Sequence, residues 1–157
     1  MLLKIRSDFK DVITAVYDSP IGRIKISASN GRIFEIDFTD SDVITDPRLE
    51  YFTSQLDEYF YGNRKIFSAE YDLHVSDFQK KVYEIVSRIP FGEVITYSDV
   101  ANMLGNKYLS RSVGNALASN PLILVIPCHR VVRTDGIGGY TGGVWRKRWL
   151  LSHEMAI

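Results

Sequence analysis

The chain has 157 residues, of which 45% are hydrophobic and 24% charged, with 19 basic against 19 acidic side chains. That is enough to bury one or two compact cores without disulfide or metal staples. A single cysteine, Cys128, excludes an internal disulfide, and His74, His129 and His153 are scattered without zinc-ligand spacing, so neither metal nor cofactor chemistry is expected. No apolar run approaches the roughly 20 residues of a membrane span. Met1 to Arg6 opens no signal peptide, so the chain reads as a cytoplasmic, monomeric protein. Up to Val75 there are 9 basic and 13 acidic residues, and from Ser76 onward 10 and 6, giving −4 and +4. This asymmetry fits an anionic partner on the second half, or an ordinary solvated surface.

In chain order, Val12 to Tyr17, Ile24 to Ala28 and Phe34 to Phe38 are predicted strands, rich in β-branched and aromatic residues and alternating at Ile24/Ile26/Ala28 and Phe34/Ile36/Phe38. Asn30-Gly31 between the last two signals a type I′ hairpin. Asp46-Pro47 reads as a cap and first helical position, followed by Leu49, Phe52, Leu56, Tyr59 and Phe60 on one helical face, with Gly62-Asn63 as the stop. Arg64 to Val75 lacks a period and reads as a linker, so that residues 1–75 form an N-terminal α/β domain and residues 76–157 a second domain.

The second domain reads as mainly helical. Phe78, Val82, Ile85, Val86 and Ile89 mark an amphipathic helix stopped by Pro90 and Gly92. Ser98 is the predicted cap of a short helix through Leu104, and Ser110 that of another to about Ser119, together a helix-turn-helix candidate. Leu122 to Ile126 reads as a buried extended run leading into Pro127-Cys128-His129-Arg130. A glycine-rich loop, Gly136 to Gly143, precedes a last helix through Trp145, Trp149, Leu150 and Leu151. There are no internal repeats and no low-complexity tracts.

A lone cysteine is most often a small buried hydrophobe. Here Pro127 fixes the backbone entering Cys128, and His129, Arg130 and a glycine loop adjoin it, a setting that favours the nucleophilic thiolate. In an extended segment His129 would point away from the Cys128 sulfur, so a bridging water is expected between them. Glu154, near the C-terminus, is either the carboxylate that orients the imidazole or a solvated terminal charge. The second helix of the pair lacks the several long polar side chains that read a major groove. Val113, Ala116 and Leu117 can face the core, leaving Ser112, Gly114, Asn115, Ala118 and Arg111 outside. Such a surface suits close approach to a sugar-phosphate backbone or minor groove, with Arg111 as a wedge, and equally suits packing inside a protein. Arg130, Arg133, Arg146, Lys147 and Arg148 are either phosphate contacts or a solvated face.

These residues resemble a known family. Pro127-Cys128-His129-Arg130-Val131, preceded by Asn120-Pro121 and followed by Trp149-Leu150-Leu151-Ser152-His153-Glu154, is similar to the methylated-DNA–protein-cysteine methyltransferases. The likeness extends over Ser76 to Glu154 and includes Pro90-Phe91-Gly92, Thr96-Tyr97 and Arg111-Ser112-Val113-Gly114. It implies an α/β fold with a small ribonuclease-H-like sheet-plus-helix domain, then a mainly helical domain with a winged-helix-like helix-turn-helix. It also implies direct-reversal DNA repair on double-stranded DNA: a damaged guanine is flipped through the minor groove, and the alkyl group on its 6-oxygen moves irreversibly to Cys128, once per molecule. By the same resemblance Arg111 fills the vacated stack, with Ser112 and Gly114 beside it against the DNA, and Tyr97 rotates the phosphate and donates to the base. The carbonyls of Cys128 and Val131 read its amino group, and Tyr140 and Thr141 close over it. His129 takes the thiol proton through water, Glu154 holds the imidazole, and Asn120 ties the helix to the segment bearing Cys128. Some relatives hold zinc in the N-terminal domain through cysteines and histidines; this chain has no cysteine there, so no metal is carried over. The alternatives are a non-enzymatic alkyl-damage binder of the same fold, whose members lack the cysteine, a cysteine hydrolase, and a sequence-specific regulator.

Overall fold

The computed structural model describes residues 10–157, so the reading of Met1 to Arg6 lies outside the described residues. The chain divides into two compact units, one ending at His74 and the other running from Val75 to Ile157.

In the first unit, β1 (Ile13–Ser19), β2 (Gly22–Ser29) and β3 (Arg32–Thr39) form an antiparallel sheet in that order. Asn30 and Gly31 take φ values of 53° and 74°, the paired positive angles of a type I′ turn. Strict alternation fails at β3, where Ile33 and Phe34 are both buried, because the register slips between Ser27 and Ala28 on β2. The next helix begins more tightly than expected: Asp46 caps a 3-10 turn over Pro47–Leu49, and α1 (Glu50–Tyr61) follows. All five apolar residues assigned to its inner face are buried.

Arg64 to Val75 is not a slack linker. Gln55 exchanges two hydrogen bonds with the backbone of Ser68, at 2.7 and 2.8 Å. Ile33 donates to the carbonyl of Glu70 and accepts from the amide of Asp72, each at 2.9 Å, and Phe67 packs on Phe52 and Tyr59. Backbone pairing and one aromatic ring hold the segment, which is why it carries no sequence period.

In the second unit, α2 (Asp77–Val86) opens with a reciprocal Ser76/Gln79 capping box. It packs against α4, and the Tyr83 hydroxyl donates to the Ala116 carbonyl at 2.6 Å. β4 (Ile95–Thr96) pairs in parallel with β5 (Val131–Val132), a long-range pairing too short to leave a sequence signal. α3 (Tyr97–Met103) and α4 (Ser110–Ala118) pack together as the two helices of the helix-turn-helix, and α5 (Val144–His153) closes the chain. No described helix is long and apolar enough to cross a membrane.

Three local expectations are corrected. Thr96, not Ser98, caps α3, because Asp99 stands three residues on and returns the hydrogen bond. Ser110 lies inside α4, because Asn106 caps a 3-10 turn, Lys107–Leu109, that runs directly into the helix. Leu122 to Ile126 is buried but folded back instead of extended: Leu124 has φ 71° and the Ile126 amide donates to the Leu122 carbonyl at 2.9 Å. Buried backbone must find partners, and Asn120 supplies them, its Nδ2 donating to the Ile126 carbonyl at 2.7 Å and its Oδ1 accepting from the Leu122 amide at 2.9 Å.

Candidate active site

That folded turn delivers the chain to Pro127, after which Cys128–Arg130 form a single 3-10 turn instead of the end of a strand. The strand-alternation reason for separating His129 from the Cys128 sulfur therefore lapses. Its replacement is an observation on the ring itself. His129 is fully buried; its Nε2 lies 2.9 Å from Glu154 Oε2, and its Nδ1 has no hydrogen-bond partner among the described residues. Burial pushes the imidazole below its ordinary value, against the opposing pull of Glu154. A neutral ring beside a carboxylate carries its proton on the nitrogen that faces the carboxylate, so Nε2 donates and Nδ1 is left as a buried acceptor.

Glu154 is not a solvated terminal charge. It is 1% exposed and caps the C-terminal end of α5. Burial alone would lift its carboxyl, but hydrogen bonds from His129 and Arg130 outweigh that and hold it well below the usual carboxylate range. Arg130 clasps it with Nε at 2.8 Å and Nη2 at 2.9 Å, and donates Nη1 to the Ile89 carbonyl at 2.8 Å. Arg130 is thus committed inside the protein and does not face phosphates. Nearby, Gly92 has φ 87°, and a Cβ there would lie 3.2 Å from the Glu154 carbonyl oxygen, so the Pro90-Phe91-Gly92 turn is pressed against the end of α5.

Cys128 forms the floor of a cavity of about 180 Å³. Its walls are Tyr97 from α3, Gly114, Leu117 and Ala118 from α4, and Gly139, Tyr140 and Thr141 from the glycine loop. Drug-sized ligands occupy pockets of roughly 300–1,000 Å³, so this one suits a single small group. An adjoining groove shares Tyr97, Gly114 and Gly139 and is lined by Arg111 and Arg133. On α4, Val113, Ala116 and Leu117 are buried while Arg111, Ser112, Asn115 and Ala118 are exposed, as the helical spacing required. Ser112 lines neither cavity. The Thr141 hydroxyl donates to the Ala118 carbonyl at 3.0 Å, fastening the loop to the end of α4. Gly138, with φ 81°, lets the loop pass where a Cβ would stand 3.1 Å from the Tyr97 hydroxyl.

Two residues that the sequence left between phosphate contacts and a solvated face are buried at the site instead. Arg130 is one. The other is Lys147, grouped by sequence with Arg146 and Arg148, yet fully buried with its Nζ 2.6 Å from the Val131 carbonyl oxygen. Trp145, on the same helix, is 56% exposed. The inner stripe is Lys147, Leu150, Leu151 and Glu154, at i, i+3, i+4 and i+7. That period was available in the sequence, disguised by the charges at its two ends.

The shared cavity of a helix-turn-helix and a buried cysteine beside a histidine–glutamate pair defines the class first: a thiol acceptor carried on a DNA-binding motif. Comparison with known proteins supplies the family. Residues 77–156 match the family model described as 6-O-methylguanine DNA methyltransferase, DNA binding domain, and residues 12–73 match that of its ribonuclease-like domain. The methylated-DNA–protein-cysteine methyltransferase of Sulfolobus acidocaldarius is 35% identical over 146 residues, covering 91% of this chain and 93% of its own. That of Metallosphaera sedula is 38% identical over 142 residues, covering 88% and 90%. Among solved structures, Mycobacterium tuberculosis O6-methylguanine methyltransferase superposes with a TM-score of 0.84 at 32% identity, covering 92% and 93% of the two chains. The same organism's protein in complex with DNA gives 0.83 at 34% identity, covering 91% and 92%. The chain belongs to the 6-O-methylguanine DNA methyltransferase family.

Proposed function

We propose that this protein repairs DNA by direct reversal, moving an alkyl group from the 6-oxygen of guanine in double-stranded DNA onto Cys128, once per molecule. The observation that carries the reading is Cys128 on the floor of a cavity walled by α4, beside a buried imidazole whose Nδ1 is an open acceptor. Groove binding by α4 brings the damaged nucleotide to the mouth of that cavity, and Arg111, on the adjoining groove, takes the place of the extruded base. Extrusion costs a few kcal/mol, least for a lesion that already pairs badly, which contributes selectivity.

In the cavity the Cys128 sulfur attacks the alkyl carbon in line. The S–C bond forms, the C–O bond breaks, and the electron pair passes to the guanine. The thiol proton moves through a water to His129 Nδ1, with Glu154 and Arg130 fixing the ring behind it. Guanine regains a proton, so the sum is thiol plus alkylguanine giving thioether plus guanine. Tyr97 donates to the base, the Val131 carbonyl accepts from its amino group, and Tyr140 and Thr141 cover it. Asn120 keeps the end of α4 in register with the turn before Cys128. A thioether is a poor leaving group, so the acceptor is consumed. The place of action is the compartment holding the genome, in our reading the cytoplasm.

The test is the mass of the whole protein before and after incubation with a duplex carrying 6-O-methylguanine. One methyl should appear on the peptide containing Cys128, with a yield that never exceeds one per protein. Turnover beyond that, or transfer surviving in Cys128→Ala, would overturn the mechanism.

A further inference from the structure

The groove that adjoins the Cys128 cavity has two walls of different character. One is the start of α4, with Ser110, Arg111 and Gly114; the other is the segment after β5, with Arg133 and Asp135. Cavity and groove share Tyr97, Gly114 and Gly139 as a common rim. A base seated on Cys128 hangs from a sugar at that rim, so the phosphates flanking it lie in the groove. Arg111 is engaged in replacing the base, which leaves Arg133 as the groove's cation for a phosphate.

Arg133 already has an anion on it. Its Nε donates to Asp135 Oδ1 at 3.0 Å and its Nη2 to Asp135 Oδ2 at 3.4 Å, a side-on contact that uses both carboxylate oxygens. A phosphodiester offers a guanidinium the same two-oxygen face. Both side chains are largely exposed, 64% and 70%, and an exposed ion pair contributes little to stability, so the pair opens readily. A backbone bridge between Arg133 and Gly136 closes the turn that brings Asp135 back to the arginine. The arginine stem is placed from the other side. A Cβ at Gly138 would stand 3.3 Å from Arg133 Cγ and 3.1 Å from the Tyr97 hydroxyl, so the two side chains meet over one bare glycine. The carboxylate can therefore swing away about its own side-chain bonds while the guanidinium stays beside Tyr97.

We propose that Arg133 holds a backbone phosphate of the extruded nucleotide and that Asp135 is its placeholder, occupying the phosphate's position on the guanidinium until DNA arrives. This rests on the alkyl-transfer reading and extends the DNA site to the wall opposite α4. The carboxylate keeps the guanidinium turned toward the groove, but it has to be expelled at each binding event and repels the incoming phosphate. Asp135 therefore lowers the affinity for DNA, and its removal raises it.

Fluorescence anisotropy on a duplex carrying 6-O-methylguanine reads both roles across a salt series, with Cys128→Ala as the background so that no alkyl group is consumed. Arg133→Ala should bind more weakly, and its slope of log affinity against log salt should lose about 0.9, the share of one phosphate. Asp135→Asn should bind about threefold tighter, the scale of an exposed ion pair that no longer has to open. Glu84→Gln, which removes an exposed acid of α2 that lines neither cavity, is the control for net charge. An unchanged salt slope in Arg133→Ala would overturn the phosphate contact. A gain in Asp135→Asn no larger than that in Glu84→Gln would overturn the placeholder, and so would weaker binding, which would make Asp135 a support for the arginine. Methyl transfer to Cys128 in the native chain separates these residues from the repair function. Both binding changes in a protein that takes no methyl would sink the repair function alone, and methyl transfer without either change would sink the Arg133 and Asp135 roles alone.

Discussion

Replacing Glu154 with glutamine keeps the volume of the side chain and removes one acceptor. The carboxylate takes three N–H groups, from His129 Nε2, Arg130 Nε and Arg130 Nη2, all within 2.9 Å. An amide can answer them in only two ways. With its NH2 in the place of Oε2 it faces both His129 Nε2, which must become an acceptor with the ring proton on Nδ1, and Arg130 Nη2, which is left facing a donor. With its NH2 in the place of Oε1 the ring keeps its tautomer, but Arg130 Nε is left facing a donor and the negative charge that supports a protonated imidazole is gone. Either way one buried guanidinium N–H loses its acceptor, so Glu154→Gln should fold with reduced stability, and His129 Nδ1 should be a weaker base for the thiol proton. The resulting loss has a ceiling. An unassisted thiol is a few per cent ionised at pH 7, so withdrawing its base slows attack by at most about 30-fold there. The deficit should shrink as pH rises and nearly vanish above about pH 9, past the ordinary thiol value of ~8.5. Rapid-quench single-turnover transfer from a methylated duplex measures it, with urea unfolding as the control for stability. A deficit that stays the same from pH 7 to 9 would refute this role in supporting the base and reduce Glu154 to a structural residue.

Gly114→Ala should stabilise the isolated protein by up to about 1 kcal/mol through helix propensity, because the new Cβ meets nothing closer than a Tyr97 ring carbon at 3.9 Å. The same methyl projects into the cavity, so binding of methylated duplex should weaken; unchanged affinity by fluorescence anisotropy would show that no partner comes close there. Arg111→Ala should slow duplex repair about tenfold or more, in line with the few kcal/mol of extrusion it offsets, while leaving transfer from a free alkylated base nearly unchanged; equal losses on both substrates would remove its wedge role. Stability should fall in acid in two steps. His129 is depressed by burial, so the unfolded chain binds its proton first, and stability declines as pH drops below about 6.5. Glu154 is depressed too, so its contribution, intact above about 4.3, is lost as pH falls further. Urea midpoints between pH 8 and 4 check the first step, and a flat profile across 6.5 would contradict a buried neutral His129.

Where local chemistry dominates, residues and structure agree closely. The Asn30-Gly31 turn, the inner faces of α1 and α4, and the isolation of Cys128 beside His129 are all written within a few positions of one another. The misreadings share one cause. Ser98 and Ser110 are good caps by type, but Thr96 has a reciprocal Asp99 and Asn106 precedes an unforeseen 3-10 turn. Leu122 to Ile126 has strand composition and no neighbour to pair with as a strand, so Asn120 folds it back. Arg64 to Val75 is held by the edge of another chain segment, which no local pattern encodes.

By itself the sequence determined the family, the single cysteine in its Pro127-Cys128-His129-Arg130 setting and the small-residue character of α4, because motif spacing and side-chain type are local properties. Only the tertiary structure decided what the charges do. Arg130 and Lys147 look like phosphate contacts in a basic tail and Glu154 like a terminal carboxylate, yet all three are buried around the Cys128 turn. A charge far from water takes its role from the partners that fold around it, and those partners, Ile89, Val131, Gly139 and His129, are brought together by chain segments far apart in sequence.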